Sequence, residues 1–246
     1  MVLHKTKGIV LRAVKYGETS LIVSIYTEIF GIQSYIINGV RKASKKGSGK
    51  ANLFQPASIL DLVVYHNELR QLNRVREFRW AYLYQHILFD VRKNAVALFM
   101  IELLQKCLKQ PEPNDSLFYF VEDAFIHLDN APDNVVANYP LFFALHLMVF
   151  VGIRIDDNYN EDHEVLDMME GAFQPEVPEH PYYLEGQAAY ITSQLLKVMQ
   201  PAELSQLHLN QSMRRRLLQA YQEFYALHIA EFGVMKSLPV LQEVLS

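Results

Sequence analysis

"SLIVSIYTEIFGIQSYIING", from Ser20 to Gly39, decides how the first part of this chain folds. Leu21, Val23 and Ile25 recur at every second position, and so do Ile32, Ser34 and Ile36. A period of two belongs to strands, because successive side chains of an extended backbone leave on opposite faces. Phe30-Gly31 separates the two runs and reads as their turn. Working outward, "GIVLRAV" precedes this pair, and "PASILDLVVYH" and "ELRQLNRVREF" follow it. Tyr16-Gly17 and His66-Asn67 supply the remaining turn signals.

Five short strands in the first 79 residues, with one long loop between the third and fourth, predict a small closed barrel of the OB type. An SH3-like barrel or a small open sheet gives a similar pattern, so strand count alone leaves the three open. From Trp80 the period turns helical. Leu83, Ile87 and Val91 lead into Val96, Phe99, Met100, Leu103 and Leu104. Further helices are expected from Asp115-Ser116 through Leu128, from Asn134 to Gly152, from Gln187 to Met199, and from Ser212 to Phe232. The expected fold is a multidomain α+β one: a five-stranded OB-fold barrel over residues 1–79, then an all-α helical domain over 80–246. An irregular acidic segment interrupts the latter at about 155–184, where "VLDMM" and "AFQ" around Glu170-Gly171 can pair as a hairpin.

Composition narrows the function classes. The chain has 246 residues, half of them apolar, which suits a packed globular protein. Its single cysteine, Cys107, excludes an internal disulfide and a cysteine-built zinc site. Lys5, Lys7 and Arg12 interrupt any signal core, and the longest apolar run, Tyr139 to Ile153, falls short of the roughly 20 residues a bilayer requires. A soluble, cytoplasmic protein with no membrane contact is expected. The net charge of -4 hides an asymmetry: 13 Lys and Arg against 5 Asp and Glu through Trp80, then 10 against 22. A basic N-terminal part precedes an acidic C-terminal one.

The basic charge concentrates in "GVRKASKKGSGKAN", Gly39 to Asn52, which carries five cations and no carboxylate. It fails as a P-loop, since Ser44 and Ala51 stand where that motif needs Gly and Ser or Thr. As a polyanion contact, Arg41, Lys42, Lys45, Lys46 and Lys50 can track a phosphate backbone, and five neutralised phosphates of a single strand imply a log-log salt slope of about -3.5. A solvated loop whose lysines aid solubility is the bland alternative. Arg12, Lys15, Arg74, Arg76 and Arg79 on the same barrel favour binding. Among the strand aromatics Tyr16, Tyr26, Tyr35 and Tyr65, most are expected in the core; Tyr16, at a turn beside Lys15, is the best candidate for an exposed stacking ring.

Catalytic patterns are absent. No "GxSxG", "HExxH" or paired-carboxylate spacing occurs, and "EDHE" at Glu161–Glu164 matches no standard zinc pattern. Arg214, Arg215 and Arg216 head the last long helix, where they oppose its dipole, and salt bridges to nearby carboxylates are expected to hold them.

Three stretches resemble the bacterial recombination mediator family RecO. They are "KGIVLRAVKYGETSLIVSIYTEIFG", "GVRKASKKGSG" with its following "LFQP", and "YQEFYALHIAEFGVMKSLPVL". The resemblance implies an OB-fold and a helical domain. It also implies binding of single- and double-stranded DNA, strand annealing, and help in loading RecA onto strands coated by single-strand-binding protein. RecR and the coating protein's C-terminal tail are the implied partners. Carried onto this chain, the basic loop gives Arg41, Lys42, Lys45 and Lys46 as DNA contacts, with Arg12 and Lys15 following. Some relatives carry a four-cysteine zinc site after the middle helices; here that region reads "EDHEVLDMMEG", so neither zinc nor another cofactor is expected.

The expected function is therefore that of a non-enzymatic DNA-binding mediator in recombinational repair. Three rivals stand beside it: an RNA-binding OB module in translation or RNA maturation, a hydrolase built on Asp156, Asp157, Glu161 and His163, and a scaffold that binds only proteins.

Overall fold

The computed structural model describes residues 2–41, 50–67 and 69–245. Five strands form first: β1 (Val2–Tyr16), β2 (Ser20–Thr27), β3 (Gly31–Ile37), β4 (Ile59–His66) and β5 (Asn73–Tyr82). They pair in the order β1-β2-β3-β5-β4, and β4 returns to β1, so the sheet closes on itself. Every contact is antiparallel except β3 with β5, where Tyr35 faces Asn73 and Ile36 faces Arg74. That parallel closure makes the OB order of strands and excludes an open sheet.

β1 is long because it serves two neighbours. Its residues 2–9 pair with β4 and its residues 8–16 with β2, with a register shift between Val10 and Arg12. Gly8 sits at the crossover, where an added Cβ would stand 2.6 Å from Ile25 Cγ2 and 2.8 Å from Leu62 Cδ1. Val10, Val23, Ile25, Tyr35, Leu60 and Val64 fill the interior, and Phe54 joins them from a 3-10 turn at Lys50–Phe54. Ile32, Ser34 and Ile36 do share a face, but it is the outer one; the register puts Tyr35 opposite Val23 and Ile37 opposite Leu21, all buried. Both phases of β3 carry isoleucine, so only the turn, closing at Thr27 opposite Gly31, selects the inner set.

The helices are α1 (Val91–Cys107), α2 (Asp115–Asn130), α3 (Asp133–Val136), α4 (Tyr139–Phe150), α5 (Gln187–Leu196), α6 (Gln211–His228) and α7 (Ser237–Val244). Leu83 and Ile87 do not continue the helix as their spacing suggested, because β5 runs to Tyr82 and α1 begins only at Val91. Asp90 sets that start: its Oδ1 accepts from the Arg92 and Lys93 amides at 2.8 and 3.1 Å. Those bonds, the Lys93 one foremost, hold the Asp90 carboxyl below its usual range. The single helix expected from Asn134 to Gly152 is two, broken before Pro140, which occupies the first turn of α4. α7 had no counterpart in the sequence reading.

The chain divides into two compact units. One is Met1–Gln85 with Leu108–Ile126; the other is His86–Cys107 with His127–Ser246. In the first unit the segment from Leu108 lies on the barrel. Tyr26 Oη donates to the Asn114 carbonyl at 3.1 Å, Tyr119 Oη donates to Glu28, and Lys7 Nζ reaches both oxygens of Glu122 at 2.8 and 3.0 Å. Asn114, rather than Asp115 or Ser116, caps α2 by accepting from the Leu117 amide at 2.9 Å.

In the second unit α4 is apolar on nearly every side and buried except near its end, where Val149 is exposed, and it is packed by α1, α5 and α6. The acidic segment contains β6 (Val165–Asp167), β7 (Ala172–Gln174) and β8 (Tyr183–Leu184), in the order β7-β6-β8; the first two make the anticipated hairpin. Asn158 imitates a further strand, its side chain both donating to the Phe173 carbonyl at 2.8 Å and accepting from the Phe173 amide at 2.7 Å. Arg214 and Arg215 donate to the carbonyls of Leu209 and Gln242, not to the carboxylates expected. Helix ends and loops leave main-chain oxygens without intrahelical donors, and a guanidinium satisfies these as readily as it does a carboxylate. Among the described residues no helix is long and apolar enough to cross a membrane.

Candidate nucleic-acid interface

The outer face of the barrel across β1, β2, β3 and β5 carries Arg12, Tyr16 and Arg74 of the sequence-derived site. Register places Arg12 opposite Ser24, Val14 opposite Ile22, Ile22 opposite Ile36, and Ile36 beside Arg74. The row from Val14 to Arg74 crosses three strand spacings, about 14 Å. Tyr16 lies at the end of β1 opposite Ser20 and is 51% exposed, as its turn position suggested. Lys15 is exposed beside it.

The entry to the basic loop is tied to this end of the face. Arg41 Nη1 donates to the Gly17 carbonyl at 2.9 Å and its amide to the Thr19 carbonyl at 3.0 Å. Ser20 Oγ donates to Asn38 Oδ1 at 3.2 Å nearby. These bonds bring Arg41 to the turn that follows Lys15 and Tyr16. Lys50 is exposed at the loop's other end, on the 3-10 turn anchored by buried Phe54. Lys42, Lys45 and Lys46 lie outside the described residues.

The far end of the row is built by the connection between β4 and β5. Ile36, Tyr65, Arg70, Leu72, Asn73 and Arg74 line a pocket of about 240 Å³ there. Arg70 was counted among the cations but not singled out; its position four residues before Arg74, across a turn, was the available signal. Arg76 sits at a bulge where β4 passes from Val64 to Val63, and it pairs with Glu77 at 3.4 Å. Its charge is thus partly compensated, as is that of Arg79, which pairs with Asp61. Among the described residues Arg12, Lys15, Lys50, Arg70 and Arg74 make no ion pair. Tyr26 and Tyr35 are buried and offer no stacking surface.

The β1-β4-β5 face is different. A cavity of about 560 Å³ there is lined by Lys5, Lys7 and Arg79 together with Glu28, Asp61 and Glu77. Lys7 is bonded to Glu122, which keeps its ammonium above its ordinary range, and Arg79 Nη2 bonds Asp61 at 2.9 Å. Opposite charges cancel on this side and stand open on the other.

The residues of the hydrolase rival are held separately. Asp156 meets Arg154 at 2.9 Å, Asp157 accepts from Ser193 Oγ at 2.7 Å, and His163 turns back to Asn160. Among the described residues no three His, Cys, Asp or Glu side chains group as metal ligands.

Comparison with known proteins agrees with this anatomy. Residues 1–84 match the family described as recombination protein O N terminal, and residues 88–238 match recombination protein O C terminal. The chain is 32% identical over 245 residues to the DNA repair protein RecO of Bacteroides fragilis, covering 98% of this chain and 99% of that one. It is 32% identical to the protein of that name from Christiangramia forsetii over 244 residues, 99% of each chain, and 31% identical to that of Flavobacterium psychrophilum, covering 98% of this chain and 99% of the other. A five-stranded barrel joined to a helical unit, matched along nearly its whole length, belongs to the RecO family of DNA repair proteins.

Proposed function

We propose that this protein binds DNA on the β1-β2-β3 face of its barrel and anneals complementary strands without catalysing a covalent step. The observation that carries this reading is the set of cations Arg12, Arg70 and Arg74, left without ion pairs among the described residues on one side of the barrel, with exposed Lys15 at the end of β1, while the opposite face is charge-balanced. Counterion release on phosphate contact supplies the affinity, and neutralising two strands together lowers the repulsion that keeps them apart. Lys42, Lys45 and Lys46 add three further cations to the sequence that follows Arg41. The family relationship supports a place in recombinational repair, with RecR, the tail of single-strand-binding protein and, indirectly, RecA as partners. The acidic second half would serve those protein contacts and keep DNA off itself.

Binding of a fluorescent single-stranded oligonucleotide across a salt series tests this. Arg12→Glu with Arg74→Glu should weaken binding and flatten the log-log slope by about 1.4, two phosphate contacts at roughly 0.7 each. An unchanged slope and affinity would sink the reading. Matched RNA and DNA oligonucleotides separate it from the RNA-binding rival, which requires RNA to win.

A further inference from the structure

The pocket at the β4–β5 turn has a chemistry that phosphate binding alone does not explain. Ile36, Tyr65 and Leu72 give it apolar and aromatic walls, while Arg70 and Arg74 stand at its edge without ion pairs among the described residues. Its frame is fixed from within. Buried Asn73 accepts from the Asn67 amide at 3.0 Å and donates to the Arg70 carbonyl at 3.5 Å, and Arg70 donates its own amide to the Asn67 carbonyl at 3.0 Å. Asn67 Oδ1 also accepts from the Leu69 amide at 2.9 Å, and Leu69 is 95% exposed. A turn this tightly bonded presents an apolar side chain to water beside two guanidinium groups.

At about 240 Å³ the pocket is below the roughly 300–1,000 Å³ of sites that enclose drug-sized ligands, so it suits one planar ring and not a larger molecule. A ring needs apolar faces, and a ring bearing phosphates on either side needs flanking cations. Arg meets both demands, since its planar head stacks on a base or forks to a phosphate. We infer that this pocket is a single-base subsite: it takes one unstacked nucleobase of a single strand against Tyr65 and Leu72, Arg70 and Arg74 hold the adjoining phosphates, and Leu69 offers a surface for the next base. The subsite rests on the DNA-binding reading of the same face and adds that the bases, and not only the backbone, are gripped. Duplex DNA, with its bases already stacked, leaves the pocket empty.

The test compares a short single-stranded DNA with a fully abasic oligonucleotide of equal length and charge, using the whole protein. Wild type should prefer the base-bearing strand by about tenfold or more, the scale of one stacked base. Tyr65→Ala with Leu72→Ser should remove about tenfold of that preference and leave the salt slope unchanged. Tyr65→Leu, which retains bulk against the barrel, should show an intermediate loss, and its circular dichroism and melting curve exclude unfolding as the cause. Equal wild-type binding of the two oligonucleotides overturns the subsite while leaving the phosphate reading in place. A preference that survives both variants also overturns it, because the base is then held elsewhere. Failure of both oligonucleotides to bind overturns subsite and DNA reading together.

Discussion

Single residues decide how the turns and tails of this molecule are fixed. Gly31 has φ +62°, and a Cβ there would stand 2.4 Å from the Glu112 carbonyl oxygen. Gly31→Ala should therefore lower stability by about 2–4 kcal/mol in chemical denaturation, from left-handed strain and overpacking combined. Its neighbour Thr27 locks the same turn, donating to the Gly31 carbonyl at 2.9 Å and accepting from the Phe30 amide at 3.2 Å. In the second unit Glu102 accepts from the amides of Lys236 and Ser237 at 2.8 and 2.7 Å, capping α7 from α1. Burial alone would raise the Glu102 carboxyl, but the Ser237 hydroxyl, these two amides and the nearby Lys106 charge together outweigh it and leave the group below its ordinary value. A depressed carboxyl stabilises the fold above the unfolded pKa of about 4.3, and that contribution disappears as pH falls through the lower folded value. Glu102→Gln should cost about 1 kcal/mol at pH 7, with thermal melts of variant and wild type converging in acid.

At the scale of elements, the contact between β1 and α2 offers an asymmetric test. The Glu122 side chain is only 8% exposed, whereas Lys7 is 39% exposed. Removing the cation strands a buried carboxylate, while removing the carboxylate frees a lysine that water can reach. Lys7→Ala should thus destabilise by about 2 kcal/mol, below the range for fully buried pairs because Lys7 is partly solvated, and Glu122→Gln by less. Urea melts of the two variants check the order. Asn158→Ala should cost about 1 kcal/mol, since it removes both hydrogen bonds to the Phe173 main chain at a position water can partly reach. The strands were legible because period two and turn residues are local signals. The split between α3 and α4 was also written in the sequence, at Pro140, but the uninterrupted apolar run around it concealed the break. Asn158 was not legible, because a side chain replacing a strand has no periodicity.

Over the whole chain, the division into a basic first part and an acidic remainder was read from charge alone, and five strands from spacing, but their closed order rests on the parallel pairing of β3 with β5, which no local pattern records. What could not be read is which cations stand free. Arg79 and Arg74 look alike in "RVREFRW", yet Arg79 is bonded to Asp61 and Arg74 edges an open pocket. Partners contributed by another strand settle this, and no linear pattern records them. Nor did any periodicity tell that residues 108–126 complete the first unit. The signature "YTEIFG" gains a physical meaning here: Tyr26 and Glu28 bond that later segment, and Gly31 makes room for it. One outcome concerns engineering. A hybrid that imports residues 1–85 from a cousin, or a fragment cut after Gln85, would separate the barrel from the helix it leans on and should precipitate or melt early. Grafting 108–126 along with it should restore a cooperative transition.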